Sequence, residues 1–128
     1  MVNSIILDAS ALMAMLRGET GGDRVTDLLD RAIISSVNLA EVQTKLVEAG
    51  MPEREAWSHI AEAGVESVPF NDSHAYTAGA LVGVTRQFGL SLGDRACLAL
   101  AIDRKGTVYT ADRIWKKLSL GIEIEAIR

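Results

Sequence analysis

The chain has 128 residues, 48% of them hydrophobic and 23% charged, the proportions of one globular domain with its own core rather than a disordered segment or coiled coil. A single cysteine, Cys97, and two histidines exclude a disulfide framework and a zinc finger, and point to a reducing compartment. The formal charge of −4, from 13 bases and 17 acids, announces no general basic surface for nucleic acid, so the placement of the acids becomes the question.

The apolar run ahead of Asp8 is too short, and too weakly basic before it, for a secretion signal. The longest apolar run, residues 96–102, falls far below the ~18 residues a membrane span requires. A cytoplasmic protein without a membrane segment is expected.

Residues 4–7 read as a buried strand, and residues 9–17 as a helix with Asp8 as its N-cap and Gly18 beyond its end. Residues 23–31 continue as a helix with Val25, Leu28 and Leu29 on its apolar side, and residues 32–35 form a second strand. Residues 37–49 show helical spacing until Gly50 and Pro52, and residues 53–63 complete a helical hairpin with Trp57 and Ile60 on its inner side. A third strand is expected over residues 65–68, followed by a helix over residues 73–88 in which Gly79 and Gly83 lower the propensity. Residues 94–104 are apolar on nearly every side, as a central buried helix is. A fourth strand (107–110), a short helix (113–118) and an edge strand (122–124) complete the chain. Strands separated by helices predict a three-layer α/β fold, its largely parallel sheet of four to five strands covered on both faces.

Four acids stand apart from those on solvated faces. Asp8 follows the first strand, and Asp112 lies just past the fourth. Glu41 falls in the helix after the second strand, and Asp94 opens the buried helix. In open parallel sheets the crevice beyond the strands' carboxyl ends is where ligands bind. Each acid also has a purely structural alternative. Asp8 and Asp112 suit N-caps, and Ser91 to Asp94 resembles a capping box. Glu41 shares a helical stripe with Asn38, Lys45 and Glu48, a pattern of solvated faces, and can pair with Lys45.

Convergence argues against four separate coincidences. Two ionised carboxylates ~4 Å apart repel by about 4 kcal/mol even at an effective dielectric of 20. A cluster must therefore take up protons or bind a cation, and an oxygen-only donor set suits Mg²⁺ or Mn²⁺. Without these four acids the chain has 13 acids against 13 bases. Arg95, Arg113, Lys116 and Lys117 then become candidates for guiding a phosphodiester, or are simply charges at solvated helix ends.

The segments Asp8-Ala9-Ser10-Ala11-Leu12, Asn38-Leu39-Ala40-Glu41-Val42, Leu92-Gly93-Asp94 and Thr110-Ala111-Asp112 resemble the ordered acidic motifs of PIN domains. Their order and the chain length resemble the VapC ribonuclease toxins of VapBC toxin–antitoxin pairs. The resemblance covers essentially the whole chain. It implies a metal-dependent endoribonuclease, with Asp8, Glu41, Asp94 and Asp112 holding Mg²⁺ or Mn²⁺ and with Ser10 and Thr110 assisting. The products it implies are a 5′-phosphate and a 3′-hydroxyl. It further implies an RNA substrate, a homodimer, and a hetero-oligomer with a VapB-like antitoxin. That antitoxin's C-terminal segment would bind along residues 9–17 and 37–63, which contain Met13, Met15, Leu16, Leu46, Val47, Met51, Trp57 and Ile60, most of them expected in the core. Neither His59 nor His74 is needed as a general base, and Asp103, at the far end of the buried helix, stays outside the set. Two competing readings are a non-catalytic interaction module on the same fold and an acid-pocket phosphotransfer enzyme. The second is weakened by Ser10, where a dehalogenase-like site wants a second aspartate.

Overall fold

The computed structural model describes residues 4–128. Its strands are β1 (Ile5–Leu7), β2 (Ala32–Ser35), β3 (Glu66–Val68), β4 (Thr107–Thr110) and β5 (Glu123–Ala126). They form one sheet in the order β3-β2-β1-β4-β5, and every neighbouring pair is parallel. Parallel neighbours need long crossovers. Helices α1 (Ala9–Leu16) and α2 (Gly22–Thr26) join β1 to β2, and α3 (Ser36–Glu48) and α4 (Glu53–Ala63) join β2 to β3. Helices α5 (Asp72–Ala80), α6 (Val82–Thr85) and α7 (Leu92–Arg104) carry the chain across to β4, and a 3-10 turn over Arg113–Lys117 leads to β5.

Alternation along the strands builds the three expected layers, because successive side chains point to opposite faces. Leu7, Ala32 and Ile34 pack with Leu12, Val25, Val42 and Ile60 of the first four helices. Ile6, Ile33 and Val108 pack on the opposite face with Leu98, Leu100 and Trp115. Helix α7 accounts for much of that second core: Ala96, Cys97, Leu98, Ala99, Leu100 and Ala101 are all buried, as its continuous apolar run predicts. No described helix is long and apolar enough to cross a membrane.

The departures from expectation have local causes. Residues 23–31 do not form one helix. Helix α2 stops at Thr26, and a 3-10 turn over Leu29–Arg31 feeds β2. The segment expected as one helix over residues 73–88 breaks at Leu81 into α5 and α6, and then a 3-10 turn over Arg86–Phe88. Two glycines and the β-branched Val82, Val84 and Thr85 make that stretch a poor helix former, and the Thr85 hydroxyl donates to the Leu81 carbonyl at 2.8 Å. The last strand starts one residue later and ends two residues later than expected. Trp57 is not on the inner side of the helical hairpin: it is 51% exposed, whereas Ile60 is buried.

The topology fixes where a site can form. The chain crosses from one half of the sheet to the other between β1 and β4, and the crevice at such a switch point lies beyond the strands' carboxyl ends. Asp8 leaves β1 at that edge, and Asp112 follows β4.

Candidate active site

Asp8 is 4% exposed yet fully hydrogen-bonded. As the N-cap of α1 it accepts from the Ala11 amide on Oδ1 at 2.8 Å. The Ser10 hydroxyl donates to the same carboxylate at 2.7 Å, and the Thr110 hydroxyl donates to Oδ2 at 2.6 Å. Both hydroxyls also accept from backbone: Ser10 Oγ from Ala111 N–H at 2.9 Å and Thr110 Oγ1 from Asp112 N–H at 3.0 Å. The end of β1 is thereby tied to the end of β4 through a carboxylate. Burial pushes the Asp8 carboxyl up from 3.8 to about 6, against the lowering effect of Thr110, Ala11 and Ser10, and the Asp94 charge adds to the rise.

The other three acids line the same edge with different anchors. Glu41, half-buried in the second turn of α3, accepts from Asn38 Nδ2 on Oε1 at 2.7 Å. Its carboxylate lies against Gly93, so closely that a Cβ on that glycine would collide with it. Asp94 completes a capping box in the first turn of α7. It accepts from Ser91 N–H on Oδ2 at 2.9 Å while its own N–H donates to Ser91 Oγ at 3.2 Å. Asp112, exposed, caps the 3-10 turn by accepting from Ile114 N–H at 3.1 Å. The capping alternatives for Asp8, Asp94 and Asp112 are therefore real, and they coexist with placement on one edge. The Glu41–Lys45 pair that the helical spacing allowed is absent among the described residues: Glu41 bonds Asn38 instead.

Cys97, one turn beyond Gly93, lies beneath this edge. Burial raises its thiol well above the ordinary range, and the charges of Asp8, Asp94 and Glu41 raise it further. Among the described residues no lysine, arginine or histidine forms an ion pair with any of the four acids. The donor set is oxygen-only and lacks a counter-charge, which fits a hard divalent cation in kind. No group of three or more His, Cys, Asp or Glu among the described residues stands close enough to hold an ion together, since the Asp94 and Asp112 carboxylates point at their own caps.

Three of the four basic candidates are turned onto backbone carbonyls. Arg95 Nη1 donates to Ala78 O at 2.7 Å, Arg113 Nη1 to Arg128 O at 3.0 Å, and Lys116 Nζ to Ile124 O at 2.8 Å. His59 is solvent-facing, 4.0 Å from Glu55. His74 is buried and meets Asp103 at 2.9 Å, away from the four acids. Sequence reasoning missed Asn38, which it placed on a solvated stripe although the side chain is 1% exposed. The available signal was its position three residues before Glu41, the spacing that brings two helical side chains together.

A parallel sheet between two helical layers, with Asp8 and Asp112 just past β1 and β4 and Glu41 and Asp94 in the opening turns of α3 and α7, defines the class of protein. The chain belongs to the PIN domain family, whose model matches residues 5–120. Solved structures share the fold. DNA-bound VapBC from Salmonella typhimurium aligns with TM-score 0.78 and 20% identity, covering 99% of this chain and 100% of that one. VapBC2 from Rickettsia felis, bound to a promoter DNA fragment, aligns with TM-score 0.73 and 21% identity over 95% and 97%. VapC20 from Mycobacterium tuberculosis, a toxin that cleaves the sarcin–ricin loop, aligns with TM-score 0.73 and 17% identity over 94% and 99%. No curated protein sequence matches this chain.

Proposed function

We propose that this single-domain chain is a divalent-metal-dependent endoribonuclease, acting in the cytoplasm as the toxin of a type II toxin–antitoxin pair. The observation that carries the reading is the set Asp8, Glu41, Asp94 and Asp112 on one sheet edge without a basic partner among the described residues, with Asp8 held near 6 by burial. Membership of the PIN family and the likeness of fold to VapBC complexes support it.

Asp8, Glu41, Asp94 and Asp112 would hold Mg²⁺ or Mn²⁺. Such a cation, when bound, supplies hydroxide near neutral pH and neutralises charge at phosphorus. The chain's own contribution is orientation. Thr110 and Ser10 fix the Asp8 carboxylate through donated hydrogen bonds, and Ser91 holds Asp94 at the start of α7. Arg95, Arg113 and Lys116 would meet the RNA backbone by exchanging their carbonyl partners for phosphate oxygens. The partners are an RNA substrate, a second copy of the chain and a VapB-like antitoxin, for which the exposed Val47 and Trp57 of α3 and α4 offer apolar surface.

The test is cleavage of RNA by the purified chain. EDTA should stop it and added Mg²⁺ or Mn²⁺ should restore it. Asp94→Asn should abolish cleavage while keeping the fold, because the amide oxygen can still accept from Ser91 N–H. Cleavage indifferent to EDTA defeats the metal mechanism. A folded chain that neither cleaves RNA nor responds to the ions supports the non-catalytic interaction module instead.

A further inference from the structure

We infer that Asn38 is the positioning residue for Glu41, clamping its carboxylate onto the first turn of α7 in the orientation a cation needs; this rests on the metal-dependent reading above. The Asn38 amide is 1% exposed. Its Nδ2 donates to Glu41 Oε1 at 2.7 Å and to the Gly93 carbonyl at 2.9 Å. An amide nitrogen has two hydrogens, and here each has an acceptor. Reversing the amide would set its oxygen against a carboxylate and a carbonyl, so the orientation is fixed by chemistry. The remaining acceptor, Asn38 Oδ1, is buried without a hydrogen-bond partner among the described residues.

That unpaired oxygen separates a stabilising role from a positioning one. An apolar residue of the same shape would bury no orphan acceptor, so packing alone does not call for an amide at this place. What the amide supplies is a bridge from α3 to α7 that ends on the carboxylate. Gly93 forms the other jaw. It lies in the first turn of a helix and leaves open the space that Glu41 fills, where any Cβ would collide with the carboxylate. Glu41 is thus held by a donor on one side and by a missing side chain on the other.

Groups that orient metal ligands typically change metal affinity or activity 10- to 100-fold when removed. The experiment is Mn²⁺ binding to the full chain, followed by water-proton relaxation, alongside RNA cleavage. Asn38→Leu should weaken Mn²⁺ binding by about 10-fold or more while the chain still unfolds cooperatively. Asn38→Ser, which restores one donor, should recover part of the binding. Gly93→Ala, whose Cβ would displace the Glu41 carboxylate, should weaken Mn²⁺ binding while the chain still unfolds cooperatively, and Glu41→Gln should remove that difference. In a Glu41→Gln background, Asn38→Leu should cause no further loss.

If Asn38→Leu and Gly93→Ala both bind Mn²⁺ as the parent does, the positioning role is overturned and the metal reading stands. The same holds if the Asn38→Leu loss is undiminished in the Glu41→Gln background. A parent chain that binds no Mn²⁺ overturns the metal reading, and this inference with it. Should Asn38→Leu fail to fold, Asn38→Ser and Gly93→Ala decide the question alone.

Discussion

Between its ordinary pKa of 3.8 and about 6, Asp8 keeps a proton in the folded chain that it loses in the unfolded one. Its folded value is raised, so the stability this proton contributes is complete below 3.8 and is lost as pH climbs to about 6. The difference amounts to about 3 kcal/mol. Urea midpoints of the metal-free chain should fall from pH 4.5 to pH 7.5, and the fall should be much smaller in Asp8→Asn; parallel curves for the two proteins would refute the assignment. Thr110, fully buried, donates to Asp8 and accepts from Asp112 N–H. Thr110→Val strands both partners and should cost about 1–3 kcal/mol in denaturant unfolding, with Thr110→Ser recovering most of it.

The capping box at the head of α7 does two jobs at the scale of an element: it satisfies the first amides of the buried helix and it aims Asp94. Ser91→Ala should lower stability by about 1 kcal/mol, read as a drop in thermal midpoint. The helices show where sequence patterns inform and where they fail. Buried α7 and the β2 and β4 strands were legible because long apolar runs and short β-branched runs bounded by turn residues each admit one reading. The helical character of residues 73–88 was legible, but the breaks after Ala80 and Thr85 were not, because low propensity weakens a helix without marking where it is interrupted. The stripe of Asn38, Glu41, Lys45 and Glu48 misled for a related reason. Exposure rises along it, from the buried Asn38 through the half-buried Glu41 to the exposed Lys45 and Glu48, because only the start of α3 faces α7. The acids stand out in the sequence because Asp8 and Asp112 follow strands and Asp94 opens a helix, with Glu41 in the second turn of α3. The Ser91 anchor was legible too, as a local capping box, and the Asn38 anchor was offered by its spacing but passed over; the Thr110 bond to Asp8 was not, because it spans 102 residues and exists only once β4 lies beside β1.

At the scale of the molecule, the proposed metal site would make the folded state sensitive to divalent cations, since Asp8, Glu41, Asp94 and Asp112 have no basic partner among the described residues. Mn²⁺ at 100 times its dissociation constant should stabilise the chain by about 2.7 kcal/mol, seen as a rise in thermal midpoint at pH 7.5 that Asp8→Asn reduces. A denaturation curve indifferent to the ion would contradict the reading of the whole edge. The central position of β1 bears also on when such an edge can exist. Asp8 emerges early in synthesis, but the hydroxyl that secures it belongs to Thr110, 102 residues further on, and lies on the neighbouring strand β4. A nascent polypeptide still short of β4 carries Asp8 without the Thr110 hydroxyl and without Asp112, so under the proposed function a half-made copy on the ribosome has no assembled edge with which to cut anything.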